Sequence, residues 1–211
     1  MVKHIIFDLD GTLIDSKEEI LKTYQIVFNE IKPQVVNLAI INYGATLQDV
    51  LSNVYGEDFN KIEKAKILFS TIYDRSDYHQ TNPYPNVLRV LTYLKTEKYN
   101  MYIATNKRLV PTLKILNHKN LNIFFSDVIT SDIRNERVLS KAEMISELKR
   151  KYAFSEGFMV GDTSSDIKAG NIESLKTIAV TYGYENRDIF APCNPSYTID
   201  SFDEIIKIVE T

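Results

Sequence analysis

Apolar residues along this chain follow two rhythms, short continuous runs and helical spacings, and the two alternate. The first run, Ile5-Ile6-Phe7, ends abruptly in Asp8-Leu9-Asp10-Gly11-Thr12. Short apolar runs bounded by turn residues read as buried strands. The form returns at Met101–Ala104, which ends in Thr105-Asn106, at Val128–Thr130, at Phe158–Val160, which ends in Gly161-Asp162, and at Thr177–Val180. Between the runs the spacing changes to three and four. Ile20, Leu21, Tyr24, Val27, Phe28 and Ile31 follow Ser16, and Ser16 with Glu19 makes a capping-box pattern, so a helix is predicted to begin at Ser16. Thr46 with Asp49 marks a second helix through Val50, Leu51 and Val54, and Ile62, Ala65, Phe69, Ile72 and Tyr73 outline a third. After Pro85, helical faces appear at Val87–Leu94, behind Pro111, behind Ser140 with Glu143, over Asp166–Asn171 and over Phe202–Val209.

Strands that alternate with helices imply a parallel sheet covered on both faces, an α/β fold. From about Lys17 to His79 the chain shows helix and no convincing strand, too long a stretch for a simple connection. The expected organisation is therefore a core domain of residues 1–15 and 81–211, with a helical cap domain, residues 16–80, inserted after the first strand.

In parallel sheets ligands bind beyond the carboxyl ends of the strands. Asp8, Thr105 and Asp162 each stand at such an end. Alternate residues of a strand point to one side, so Asp8 and Asp10 can address one small volume. Like charges so placed call for a divalent cation, a shared proton, or both. Gly11 permits the sharp turn, and Asp166 lies four residues after Asp162. Lys141 opens a helix, a poor place for a cation unless an anion sits there.

The chain's 211 residues, 44% hydrophobic and 25% charged, suit an ordinary globular protein with a core and a modest insertion. A net charge of −3 with dispersed lysines offers no basic face for nucleic acid or anionic membrane. The lone Cys193 excludes an intrachain disulfide and a multi-cysteine zinc site and has no catalytic motif around it. His4, His79 and His118 stand singly and read as structural or exposed. No apolar stretch approaches the roughly 20 residues that span a bilayer, and Met1-Val2-Lys3-His4 enters the first strand almost at once, so a cytoplasmic location is expected.

The order of these motifs resembles the haloacid dehalogenase superfamily, in particular its phosphoglycolate phosphatase-like branch. The motifs are Asp8-Leu9-Asp10-Gly11-Thr12, Thr105-Asn106, Ser140-Lys141 and Gly161-Asp162 with Asp166. The resemblance covers the whole chain and implies a Rossmann-like three-layer core under a helical cap. It implies Asp8 as the nucleophile that forms an aspartyl-phosphate and Asp10 as general acid and base. It further implies Mg²⁺ held by Asp8, Asp162 and the backbone carbonyl of Asp10 with Asp166 in support, and phosphoryl oxygens held by Thr105, Asn106 and Lys141. Tyr43-Gly44 resembles the cap loop that faces the site, an assignment that competes with a simple turn. Lys107 either pairs with a substrate carboxylate or faces water. Ala142 departs from the frequent Lys-Pro pattern. The implied activity is magnesium-dependent hydrolysis of a small phosphate monoester, with phosphoglycolate, sugar phosphates and nucleoside monophosphates all open, by a monomer or weak homodimer. Sugar phosphomutase activity and a catalytically silent binding protein are the alternatives; the acid at Asp10 argues against dehalogenase and phosphonate chemistry.

Overall fold

The computed structural model describes residues 3–33, 41–134 and 137–211. Six parallel strands form one sheet: β1 (His4–Phe7), β4 (Asn100–Thr105), β5 (Asp127–Thr130), β6 (Phe158–Gly161), β7 (Lys176–Val180) and β8 (Tyr197–Ile199), in the spatial order β5-β4-β1-β6-β7-β8. The chain builds outward from β1 to β4 and β5, then returns to β6 on the other side of β1. The strand order therefore reverses beside β1, where α/β sheets place their ligands.

Alternation along the strands sorts the core into layers. Ile5, Phe7, Met101, Ile103, Phe158 and Val160 face α4 (Val87–Thr96), α5 (Leu109–His118) and α8 (Glu204–Val209). Ile6, Tyr102, Ala104 and Met159 face the opposite way, towards α6 (Lys141–Tyr152), and Ala169 of α7 (Ser164–Ile172) joins them. The result is a helix-sheet-helix sandwich, as the rhythm predicted, and of the Rossmann type that the resemblance implied.

A two-residue antiparallel ladder, β2 (Ile14–Asp15) with β3 (Asn82–Pro83), brackets the helical stretch. Between its strands lie α1 (Lys17–Glu30), α2 (Leu47–Tyr55) and α3 (Phe59–Tyr73). Aromatic contacts join these helices: Tyr24 lies 4.6 Å from Phe69 and 5.5 Å from Phe28 between ring centroids, and Phe69 lies 5.4 Å from Tyr73. Each such buried side chain contributes about 1.5–3 kcal/mol through area removed from water. Residues 34–40 of the expected cap lie outside the described set. Among the strands of the described residues, those of the β2–β3 ladder and β8 (Tyr197–Ile199) were not anticipated.

Thr46 and Ser140 cap their helices as expected, Ser140 with Glu143 in a full capping box. Ser16 corrects the expectation. It precedes α1 but makes no side-chain cap, because its hydroxyl donates to Asp10 Oδ1 instead, while Glu19 accepts from Ser76 Oγ and the backbone of Gln80.

Candidate active site

Three strand ends converge on a buried group of charges. Asp8 follows β1, where its N–H still pairs with Val160 O of β6 at 2.9 Å. Asp162 follows β6 and Asp166 lies in the first turn of α7. One carboxylate oxygen from each of Asp8, Asp162 and Asp166 falls within 4.8 Å of the others, and all three residues are buried. Lys141, at the first position of α6, donates to Asp8 Oδ1 at 2.7 Å and to Ala104 O at 3.0 Å, with Nζ 2.9 Å from Asp166 Oδ1.

Asp162 is fixed from distant parts of the chain and Asp166 from within its own turn. Asp162 accepts from Thr12 Oγ1 at 3.0 Å and from Tyr184 N–H at 2.8 Å. Asp166 Oδ2 accepts from Thr163 N–H at 3.1 Å and Thr163 Oγ1 at 2.7 Å. Backbones without side chains make room for them. Gly11 adopts φ +81°, and a Cβ there would lie 2.0 Å from Asp162 Oδ2; a Cβ on Gly183 would lie 2.2 Å from Asp162 Cβ.

Asp10 turns to a different set of partners. Lys107 Nζ donates to its Oδ1 at 2.9 Å and Oδ2 at 3.2 Å, and also to the Tyr73 hydroxyl of α3 at 2.8 Å. The Ser16 hydroxyl donates to Asp10 Oδ1 and lies 3.1 Å from the Tyr184 hydroxyl, which accepts from Ser16 N–H at 3.0 Å. Lys107 is thus not solvent-facing: its side chain is 5% exposed and pairs with Asp10. The sequence suggested a substrate carboxylate or water as the partner of Lys107, and gave Ser16, Tyr73 and Tyr184 no place in the site. Only the position of Lys107, two residues beyond a strand-end hydroxyl, hinted at the site.

The remaining candidates sit around this floor. Thr105 is buried at the end of β4, its Oγ1 accepting from Lys107 N–H at 3.1 Å. Asn106 Nδ2 donates to Gly44 O at 2.9 Å, and so ties the core to the Tyr43-Gly44 turn. Tyr43 lies 5.4 Å from Tyr184 between ring centroids. A cavity of about 60 Å³ separates Asp8, Asp10 and Thr105 from Ile20, Phe69 and Tyr73 above them.

Burial dominates the electrostatics. It pushes the Asp8 carboxyl up to about 7, against the opposing pull of Lys141, with Asp166 and Asp10 adding to the rise. Asp162 is raised well above the carboxylate range by burial and by Asp8 and Asp166. Burial works against the charge of Lys141, but Asp166 and Asp8 overcome it and raise its pKa. Four acids (Asp8, Asp10, Asp162, Asp166) face two ammonium groups (Lys107, Lys141), which leaves two negative charges when all are ionised. Closely spaced oxygen donors with that surplus suit a hard divalent cation such as Mg²⁺, and Asp8, Asp162 and Asp166 could hold it.

Comparison with known proteins places these features in context. The family model described as haloacid dehalogenase-like hydrolase matches residues 5–180. A phosphoglycolate phosphatase from Vibrio parahaemolyticus is 30% identical, over 99% of this chain and 96% of that protein. Pyrophosphatase PpaX from Bacillus cereus is 28% identical, over 99% and 96% respectively. A crystal structure of a predicted phosphatase from Clostridium acetobutylicum superposes with a TM-score of 0.90 at 25% identity and covers all of both chains.

Proposed function

Because this chain belongs to the haloacid dehalogenase-like hydrolases, we propose that it is a magnesium-dependent phosphatase that hydrolyses a small phosphate monoester through an aspartyl-phosphate. The convergence of Asp8, Asp10, Lys141, Asp162 and Asp166 on one end of the sheet carries the reading. Asp8 is the nucleophile: Lys141 holds its Oδ1, which leaves Oδ2 to attack phosphorus as the ester P–O bond breaks. Asp10 delivers a proton to the departing alkoxide. It then takes a proton from the water whose oxygen displaces Asp8 from phosphorus, releasing inorganic phosphate and restoring both acids. Lys107 and Ser16 orient Asp10 for both transfers.

Thr105 and Lys141 serve the phosphoryl oxygens, and Asn106 assists by fixing the turn above them. Preorganised donors of this kind supply the larger share of phosphoryl-transfer catalysis. Mg²⁺ held by Asp8 and Asp162, with the Asp10 carbonyl and Asp166 in support, would neutralise charge on the transferring group. Residues 16–80 act as a cap domain over the core of residues 1–15 and 81–211; the β2–β3 ladder at its base is the natural hinge.

The test is a screen of phosphate monoesters with and without Mg²⁺, with phosphoglycolate, pyrophosphate, sugar phosphates and nucleoside monophosphates included. Metal-dependent release of phosphate is expected, and beryllium fluoride should attach to Asp8 in a trapped complex. Absence of turnover on every ester overturns the reading. Product analysis with a sugar 1-phosphate, with and without a bisphosphate, separates a mutase.

A further inference from the structure

The cations beside the cavity are already spoken for. Lys107 gives its ammonium to both oxygens of Asp10 and to Tyr73. Arg108 grips Asp74 with two prongs, Nη1 donating to Oδ2 at 3.1 Å and Nη2 to Oδ1. No other lysine or arginine lines the cavity among the described residues, and segments 1–2, 34–40 and 135–136 contain neither residue type. Lys17 stands outside the cavity, over the ring of Tyr43 at 5.3 Å. The lining from the helical stretch is mostly apolar and aromatic instead, Ile20, Tyr24, Leu47, Phe69 and Tyr73, with the amide of Asn42 beside them. Tyr24, Phe69 and Tyr73 are buried.

Resting on the phosphatase reading, we propose that the leaving group of the natural substrate is a small uncharged alcohol, and that a leaving group bearing a carboxylate or a second phosphate is disfavoured. A second anion would enter a space whose two lining cations, among the described residues, are already paired, and unpaired buried charge is costly. To recruit Lys107 it must strip the partner from Asp10. To recruit Arg108 it must break a paired, partly buried contact with Asp74. An uncharged alcohol needs neither change: its carbon skeleton lies on Tyr24, Phe69 and Ile20 while Asp10 protonates its oxygen. The volume of about 60 Å³ corresponds to roughly four waters, which limits the leaving group to a few carbons without further opening. Phosphoglycolate and pyrophosphate, which the names of two relatives specify, both carry an extra anion beyond the transferred phosphoryl group, so both would be disfavoured here.

A matched pair tests this. Phosphoglycolate and 2-hydroxyethyl phosphate differ only in a carboxylate against a hydroxymethyl group. The Asp8→Asn protein, with Mg²⁺ present, is titrated with each by calorimetry, so that no turnover is needed for the result. The uncharged ester should bind at least tenfold more tightly, and the wild-type kcat/KM values should differ in the same direction. Equal affinity, preference for phosphoglycolate, or failure of both to bind overturns the proposal. Asp74→Asn supplies the converse: with its acid gone, Arg108 becomes available, and the affinity ratio should move at least threefold towards phosphoglycolate in a variant whose circular dichroism matches the parent. An unmoved ratio overturns the part given to the Arg108–Asp74 pair. If wild type hydrolyses no ester while the tenfold binding difference persists, the phosphatase reading fails and the selectivity stands.

Discussion

The floor and the roof of the cavity are built by opposite means. The floor, Asp8, Asp10, Lys141, Asp162 and Asp166, is an assembly of buried charges, most of them tied to remote segments, with Asp162 fitted against Gly11 and Gly183. The roof, α1 to α3, is an apolar cluster of stacked and tilted rings whose few polar links to the floor run through Lys107, Arg108 and Asn106. Directional bonds fix atoms to within tenths of an ångström, as displacement at phosphorus requires. Apolar contacts are forgiving in direction, and volume-conserving exchange is tolerated. The charged floor is therefore locked while the apolar roof can be varied.

The comparison breaks most completely at Asp8. Asp8→Asn should lower kcat to below about a hundredth of wild type, since phosphate-ester hydrolysis depends on a very large enhancement, while the fold persists. Because the native carboxyl titrates near 7 rather than the ordinary 3.8, the native state binds more protons than the unfolded chain between those values. Stability from this group is present below about pH 4 and is lost as pH rises through 7. In chelator, the melting temperature of wild type should fall across that window relative to Asp8→Asn; parallel curves for the two proteins would count against this assignment.

Gly11→Ala attacks the fit of the floor rather than its charge. The new Cβ meets Asp162 at an impossible 2.0 Å and sits on a backbone at positive φ. A stability loss of about 1–3 kcal/mol by denaturant titration is expected, together with weakened metal binding. Wild-type metal affinity would show that the Asp162 position is not tightly specified.

Lys107→Met tests the link between the two regions. It leaves Asp10 buried with the Ser16 hydroxyl as its remaining side-chain donor, and an uncompensated buried acid costs about 3–5 kcal/mol. The kcat should drop roughly tenfold to a hundredfold, within the general-acid contribution of about 10²–10⁴, with a smaller loss for an aryl phosphate that needs little protonation. Equal losses for aryl and alkyl esters in single turnover would remove Lys107 from the positioning of Asp10. The smallest effect belongs to Tyr73→Phe, which deletes one hydrogen bond worth about 0.5–1.5 kcal/mol. KM should rise a few-fold with kcat nearly unchanged; a kcat collapse instead would place Tyr73 in the chemistry.

The strands beneath the floor were legible because parallel strands buried on both faces must read as apolar runs, as Ile5-Ile6-Phe7 and Phe158-Met159-Val160 do. The elements that escaped notice have little such imprint. The ladder of Ile14–Asp15 with Asn82–Pro83 is two residues a side, and β8 is a short strand with one fully buried residue. The same Ser-x-x-Glu pattern also gave two outcomes. At Ser140 it forms a capping box; at Ser16 the hydroxyl is taken by Asp10 and Glu19 by Ser76. Local spacing cannot register a competitor brought in by the turn of β1 and the end of α3. Asp8, Asp10, Lys141, Asp162 and Asp166 were named from the sequence and the structure gathers them at one strand-end face, Asp10 on its own set of partners. The pairing of Lys107 with Asp10 spans 97 positions and left no local trace.

Such spans have a consequence for biosynthesis. Lys141 reaches Asp8 across 133 positions, and Thr12 reaches Asp162 across 150. On the ribosome Asp8 is therefore made well over a hundred residues before its counter-charge Lys141 and before Asp162. Contacts so far apart close late in folding, after the entropy of long loops has been overcome. A chain that ends before residue 141 therefore carries Asp8 as a hydrated carboxylate without the ammonium that holds its Oδ1, and the buried cluster closes only when the later strands have joined the sheet.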